Sequence, residues 1–501
     1  MLQSLLLVDP FWLEWTSWIL VLAVVSFLAT LWYKSQQPPF PPVPIYKNGN
    51  GTNNLAQNAV KFVAEGFEKY PKAFILETDA EPTLILSPEY AQEIKNDPRL
   101  DHARILYSDY FGHLPGFNVF DYHLKHAEKG YELIRVKLTK DLAKYTSDLN
   151  EEAALTLRDF WTDNPKWHEI VMRTSMAHIV ARVSGRVFLG KDLCRNPEWL
   201  RIPVEYVINL AFGAAALRKF PKFLRPLVHW FIPQVKALRQ QMAAAYRIIQ
   251  QELEQREFVN RKLGTDGANY QDAIQWTTEI YKGLNPDSYP DPVIYDLCRH
   301  PELIRHLREE IISVVSAEGG LNRNAIRKFK LMDSVLKESQ RLKPASTLMM
   351  RRVATSDIVL KDGLFIPKGT SLGIPTLWHF DEAYYDNPEK FDGYRFLRMA
   401  EEDPSKANQV HLVSTGPNHL GFGHGKLACP GRFFAAEMAK LVLAHILLKY
   451  DFKLVDPNEN LSPISIKWYY RARPGVKILV RRRAEEVSLY GASMSSSFVV
   501  V

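Results

Sequence analysis

Phe422-Gly-His-Gly425-Lys-Leu-Ala-Cys429-Pro-Gly431-Arg432 runs straight into FFAAEMAKLVLAHILLKY (433–450). The second stretch is apolar nearly all round, the pattern of a helix buried on every side. Cys429 stands just before its N-terminus. There free backbone N–H groups and the positive end of the helix dipole favour a thiolate, the form of cysteine that ligates metal. Gly425 and Gly431 let backbone approach something flat and large, and Phe422 offers a packing face. From these residues alone, an inert buried cysteine in a glycine-rich turn and a phosphate-binding loop are competing readings. Against the phosphate loop, no strand precedes it and Cys429-Pro430 interrupts it.

Composition sets the surroundings. The chain has 501 residues, 46% hydrophobic and 24% charged, ordinary for a globular protein with a large core. Its 63 Lys and Arg against 56 Asp and Glu leave an excess of +7, too dilute for nucleic-acid binding, and no basic stripe with interleaved aromatics appears. Arg481-Arg482-Arg483 reads as a solvated strand end. Three cysteines, Cys194, Cys298 and Cys429, exclude a disulfide scaffold and suit a reducing compartment.

From Thr16 to Tyr33 there are eighteen residues without a charge. As a helix they reach about 27 Å, close to the ~30 Å hydrocarbon thickness of a bilayer. Asp9 and Glu14 precede the run, which argues against a cleaved signal peptide, and Lys34 and Lys47 follow it. The positive-inside rule then places the N-terminus in the lumen and the rest in the cytosol. The expected organisation is a short lumenal N-terminus (1–15), a transmembrane helix (16–33), a Pro-rich hinge (34–44), a folded body (45–483) and a C-terminal tail (484–501). The body reads as mainly α with a small β portion. Ser87-Pro88-Glu89 signals a capped helix start, His300-Pro301 opens another helix, and long helices are expected near 131–160, 168–190 and 234–260. Hairpins are expected at Phe74–Thr78 with Thr83–Leu86, and at Ile358–Leu360 with Leu364–Ile366.

Phe422-x-x-Gly425-x-x-x-Cys429-x-Gly431 resembles the haem-binding signature of the cytochrome P-450 superfamily. From this composition, those types at that spacing arise by chance about 4 times in 10,000. The resemblance implies the P-450 fold, with Cys429 as the thiolate ligand of haem b iron, whose electron donation favours O–O cleavage. It extends to Glu338-Ser-Gln-Arg341, which matches the family's ExxR element. Glu132–Arg135, Glu198–Arg201 and Glu302–Arg305 fit the same spacing. Only the copy at 338 shares a helix face with Leu331, Val335 and Leu342. Arg395, in Phe391-Asp-Gly-Tyr-Arg-Phe396, matches the third member of that ion-pair network, a structural role. Arg135, after Tyr131, and Arg352 stand where the family holds the haem propionates. No catalytic residue beyond the haem ligand is assignable.

More narrowly, CRHPELIRHLREEI, LMDSVLKESQRLKP, FDGYRFLRM and GFGHGKLACPGRFFA resemble filamentous-fungal enzymes of secondary metabolism, of the type that includes gibberellin-pathway oxidases. By that resemblance the chain is a monooxygenase of the endoplasmic reticulum membrane. It would take dioxygen, a lipophilic substrate and electrons from an NADPH-cytochrome P-450 reductase, and no nucleic acid. Residues 105–122 would meet substrate, and Phe220–Phe231 would rest on the membrane.

Two departures stand out. The family's long central helix, carrying an acid–threonine pair over the haem, precedes a segment like Val293–Cys298. Here Asn285-Pro-Asp-Ser-Tyr-Pro-Asp-Pro292 leads directly into it, and three prolines within seven residues forbid a helix there. Thr277-Thr278-Glu279 only imitates the pair. Leu427 stands where the family has a basic residue facing a propionate, with Lys426 as a partial substitute. The alternatives to a monooxygenase are therefore a haem protein that does not activate dioxygen, such as a rearrangement or peroxide-dependent catalyst, or a non-catalytic product of a gene reading that lost the central helix.

Overall fold

The computed structural model describes residues 18, 21, 24, 25, 41–46, 55–77, 81–263, 272, 291–466 and 468–490. The helices of eight residues or more are α1 (Leu55–Lys69), α2 (His102–Asp109), α3 (Asn118–Leu133), α4 (Leu142–Trp161), α5 (Met172–Leu193), α6 (Pro197–Arg218), α7 (Pro233–Leu263), α8 (Asp291–Arg299), α9 (Pro301–Glu318), α10 (Lys330–Leu342), α11 (Arg395–Glu402) and α12 (Arg432–Lys449). The strands are short: β1 (Ile45–Tyr46), β2 (Ala73–Leu76), β3 (Thr83–Leu86), β4 (Leu100–Asp101), β5 (His168–Val171), β6 (Leu348–Ala354), β7 (Ile358–Val359), β8 (Phe365–Ile366), β9 (Ser371–Pro375), β10 (Tyr450–Leu454), β11 (Ile464–Ile466), β12 (Tyr469–Arg471) and β13 (Lys477–Arg482). The body is mainly α with a small β portion, as the sequence pattern requires.

One sheet has the order β1-β2-β3-β9-β6-β4, and a second, β10-β13-β5, backs the helices. Both expected hairpins form, with Phe74 opposite Ile85 and Ile358 opposite Ile366. The main core gathers α4, α5, α9, α10 and α12. Within α12, Leu441, Val442, Leu443, Ala444, Ile446 and Leu447 are all nearly inaccessible, although they point in every direction around the axis. Burial on all sides fixes the start of α12, and hence Cys429, as a rigid point of the fold.

Three local expectations are corrected. Residues 168–171 are not helical but pair as β5 with β13, a contact distant in sequence that overrides local helical pattern. The helix expected from 131 is broken, because Ile134–Thr139 winds as a π-helix before α4 begins. Ser87 stands at a helix start with proline behind it, but its side chain makes no capping bond. The basic run closes β13 but is solvated only in part: Arg481 is exposed and paired to Asp451, whereas Arg482, paired to Asp163 and Glu485, and Arg483 are half-buried.

Of the expected membrane span, Trp18, Val21, Val24 and Val25 are described, and all four are helical and exposed. By length and composition α6 is also apolar enough to cross a bilayer; it packs on α7, burying Gly213, Ala214 and Leu217. Thr277-Thr278-Glu279 lies outside the described residues.

Candidate functional site

Glycine lets the loop before α12 fold back on itself. Gly423 and Gly425 have φ of +71° and +81°, conformations costly for a residue with a Cβ. At Gly425 the space is closed too, since a Cβ would lie 2.5 Å from Lys95 Cβ and 2.6 Å from its carbonyl oxygen. Gly425→Ala is therefore expected to lower stability by about 2 kcal/mol or more, measured as a fall in the denaturant midpoint. The returning chain is pinned by Gly423 N–H donating to Leu420 O (2.7 Å) and Cys429 N–H donating to Phe422 O (2.9 Å). Lys426 N–H donates to Asn96 Oδ1 (2.7 Å), tying the outer turn to the segment after β3.

Cys429 emerges from this loop into a cavity of about 870 Å³, toward the upper end of the range for small-molecule and cofactor sites. Phe422, Gly431 and Leu427 line the cavity with it. Cys194 and Cys298 do not line it, and burial holds both thiols up at about 12. The Cys429 thiol is reachable by water from the cavity yet crowded by protein on its other sides. Burial pushes it above the usual range, while the Gly431 N–H, the Arg432 guanidinium and the Arg432 N–H pull the other way. The helix N-terminus thus favours the thiolate, as expected, but burial outweighs it until a cation arrives.

A cation on the cavity wall is buried with no ion-pair partner among the described residues. Arg352, on β6, is 2% exposed, and its Nε and Nη1 make no hydrogen bond. Burial lowers it to about 10, against the opposing pull of Tyr131 and Asp97. Its neighbour Arg351 is paired with Asp109. A guanidinium removed from water costs several kcal/mol unless an anion meets it, so Arg352 fits a ligand that brings a carboxylate. A macrocycle with a metal at its centre and carboxylates at its edge matches both Cys429 and Arg352.

Arg135, expected beside Arg352, is corrected by the structure. It is exposed, outside the cavity lining, and donates from Nε to the Tyr131 carbonyl (3.4 Å). Tyr131 lines the cavity and Arg135, one turn later, does not. Lys426 is exposed and off the lining too. The sequence reading missed His102 and His123, which line the cavity with Arg352. His102 Nδ1 donates to the Arg351 carbonyl (2.9 Å), and burial lowers both imidazoles, His102 to about 4. No short motif joins these two; the fold alone brings them together. The 105–122 stretch is helical at its two ends and irregular over 110–117, and Ile105, Leu106 and Tyr122 from it reach the cavity.

The ion-pair network is complete. Arg341 donates to Glu338 through Nε (2.7 Å) and Nη2 (2.8 Å), and Arg395 Nε donates to the same carboxylate (3.0 Å). Arg395 also holds the carbonyls of Asp386 (2.6 Å) and Lys390 (3.1 Å). All three side chains are buried. Elsewhere the same spacing yields no such pair: Arg201 meets Glu205 and Arg305 meets Glu309, both on the surface.

On the side of the central departure, α8 is nine residues long, about 13 Å, and Pro292 and Val293 at its start line the cavity. The cytochrome P-450 family model matches residues 292–475, beginning at that junction. A cytochrome P-450 monooxygenase of a Nectria species is 43% identical over 86% of this chain and 85% of its own length. Cytochrome P-450 monooxygenase 1 of Gibberella fujikuroi is 39% identical over 83% of this chain and 99% of its own. A fumitremorgin C monooxygenase of Neosartorya fischeri is 39% identical over 87% and 89%. A monooxygenase of Aspergillus oryzae aligns over 478 positions that take up 89% of this 501-residue chain, so it carries residues that this chain lacks. The chain belongs to the cytochrome P-450 family, mainly helical monooxygenases that bind haem b through a cysteine thiolate.

Proposed function

We propose that this cytochrome P-450 oxidises a lipophilic secondary metabolite, terpenoid-like or of another apolar scaffold, at a haem held by Cys429. The observation that carries the reading is the pairing, in one cavity, of a cysteine at the head of a buried helix with a buried arginine that meets no anion among the described residues. Haem b supplies the redox centre for dioxygen. Cys429 would hold the iron, Phe422 and Gly431 would line the seat of the ring, and Arg352 would take a propionate, with His123 as a further donor. Glu338, Arg341 and Arg395 hold the frame. Gly425 shapes the loop.

Electrons come from an NADPH-dependent reductase. The body sits on the cytosolic side of the endoplasmic reticulum membrane, anchored by residues 16–33. Two features support membrane attachment: the exposed apolar residues of that span, and Phe223, Leu227, Trp230 and Phe231, each more than half exposed beyond α6. An apolar apron beside a basic residue such as Arg225 suits the bilayer interface.

Arg352→Met keeps the volume and removes the charge. Losing one charge-assisted bond is expected to speed haem release to excess apomyoglobin by about tenfold or more, read by absorbance transfer.

The function itself is tested with the full chain in yeast microsomes containing reductase, apolar terpenoids and isotopically labelled dioxygen. NADPH-dependent appearance of one labelled oxygen in a product supports the reading. Haem-loaded chain that gives no labelled product and adds nothing to the NADPH oxidation of the reductase alone supports the second reading, a haem-thiolate protein that does not turn over dioxygen. The direct junction at Pro292 favours that one.

A further inference from the structure

Two stacked imidazoles join the ion-pair helix to the cysteine loop. His379 is 0% and His419 4% exposed, with ring centres 5.1 Å apart and planes 10° off parallel. His379 Nε2 lies 2.8 Å from the Leu420 N–H, which can only donate, so the ring proton sits on Nδ1 and donates to the Arg341 carbonyl (3.0 Å). His419 Nε2 lies 3.1 Å from Gln340 Oε1, an acceptor, so its proton sits on Nε2. Each ring is thereby held neutral in one tautomer. Lys337 and Arg341 face the pair from α10, with the Arg341 guanidinium over the Tyr385 ring, and both cations oppose protonation of either ring.

Gln340 and Arg341 are consecutive on α10, and His419 and Leu420 are consecutive where the chain enters the loop. The next residue is Gly421, where a Cβ would meet Gln340 Oε1 at 2.2 Å. From Leu420 the bonds continue through Gly423 N–H to Leu420 O and through Cys429 N–H to Phe422 O. The buried frame built on Glu338 therefore reaches the sulfur through two histidines.

We propose that His379 and His419 are positioning residues for Cys429, a neutral clamp that fixes where the sulfur stands in the cavity. This rests on Cys429 being the iron ligand.

The test uses the full haem-loaded chain and reads the ratio of the thiolate-type to the non-thiolate band in the reduced, CO-bound spectrum. The unmodified chain must show the thiolate-type band; its absence there would overturn the ligand assignment instead. His379→Phe and His419→Phe are expected to lower the ratio about tenfold, the effect of one buried hydrogen bond lost. His379→Gln, which keeps an acceptor for Leu420, and His419→Gln, which keeps a donor to Gln340, are expected to restore it. Tyr385→Phe removes a different tie, the hydroxyl bond to the Asn418 carbonyl (3.0 Å). It is expected to lower the melting temperature and leave the ratio unchanged. Should the Phe variants not accumulate, Gln340→Leu removes the His419 acceptor with both rings in place and is expected to lower the ratio likewise. An unmodified ratio in the Phe variants, or in Gln340→Leu, overturns the proposal.

Discussion

Cys429→Ala is expected to fold, to lose the thiolate-type spectrum completely, and to have monooxygenase activity at least a hundredfold below the parent chain. Folding should survive because the N–H that pins the loop belongs to the backbone and stays. Ligation should not survive because nothing replaces the sulfur. Among the described residues no group of three or more His, Cys, Asp or Glu could hold a metal. Of the cavity imidazoles, His102 is already tied to the Arg351 carbonyl and His424 to Gln92 and Thr415. Absorbance of the reduced, CO-bound protein and its haem-to-protein ratio check the result. A variant that keeps the thiolate-type band would put the ligand elsewhere.

Glu338→Ala is expected to prevent accumulation of folded, haem-loaded protein. The carboxylate is 0% exposed and answers two buried guanidiniums at once. Removing one partner of a buried ion pair costs about 3–5 kcal/mol, a large share of the ~5–15 kcal/mol by which a domain is stable. Glu338→Gln keeps the shape and one acceptor but still strands two cations, so it should lie between. Arg341→Lys should also fail, because an ammonium cannot make both parallel bonds to Glu338 while holding the His379 carbonyl. Urea unfolding monitored by tryptophan fluorescence gives the ordering: parent, Glu338→Gln, Glu338→Ala. Equal midpoints across the three would remove the network from the account.

What short-range pattern carries was readable from residues alone. The cysteine loop, the buried α12, both hairpins and the right copy of the Glu–Arg spacing are each set by neighbours within one or two turns. What the fold assembles from afar was not. β5 is made by β13, and His102 and His123 come from α2 and α3 to meet Arg352 on β6. Arg135 shows a subtler limit. Its spacing from Tyr131 suits a shared helical face, yet its side chain reaches solvent and bonds back to the Tyr131 carbonyl.

The junction at Pro292 bears on turnover rather than on haem binding, because Cys429, Arg352 and the Glu338 network all lie on the far side of it in sequence and are all in place. Re-reading the genomic DNA between the codons of Asp291 and Val293 tests the departure itself: an open segment encoding an apolar helix with an acid–threonine pair would mean that the gene carries the helix this sequence lacks.

Iron X-ray absorption on the purified, haem-loaded chain goes most directly to the central claim. The account predicts one sulfur in the first shell of the iron, absent from Cys429→Ala. A first shell of nitrogen and oxygen alone in the parent chain would contradict it.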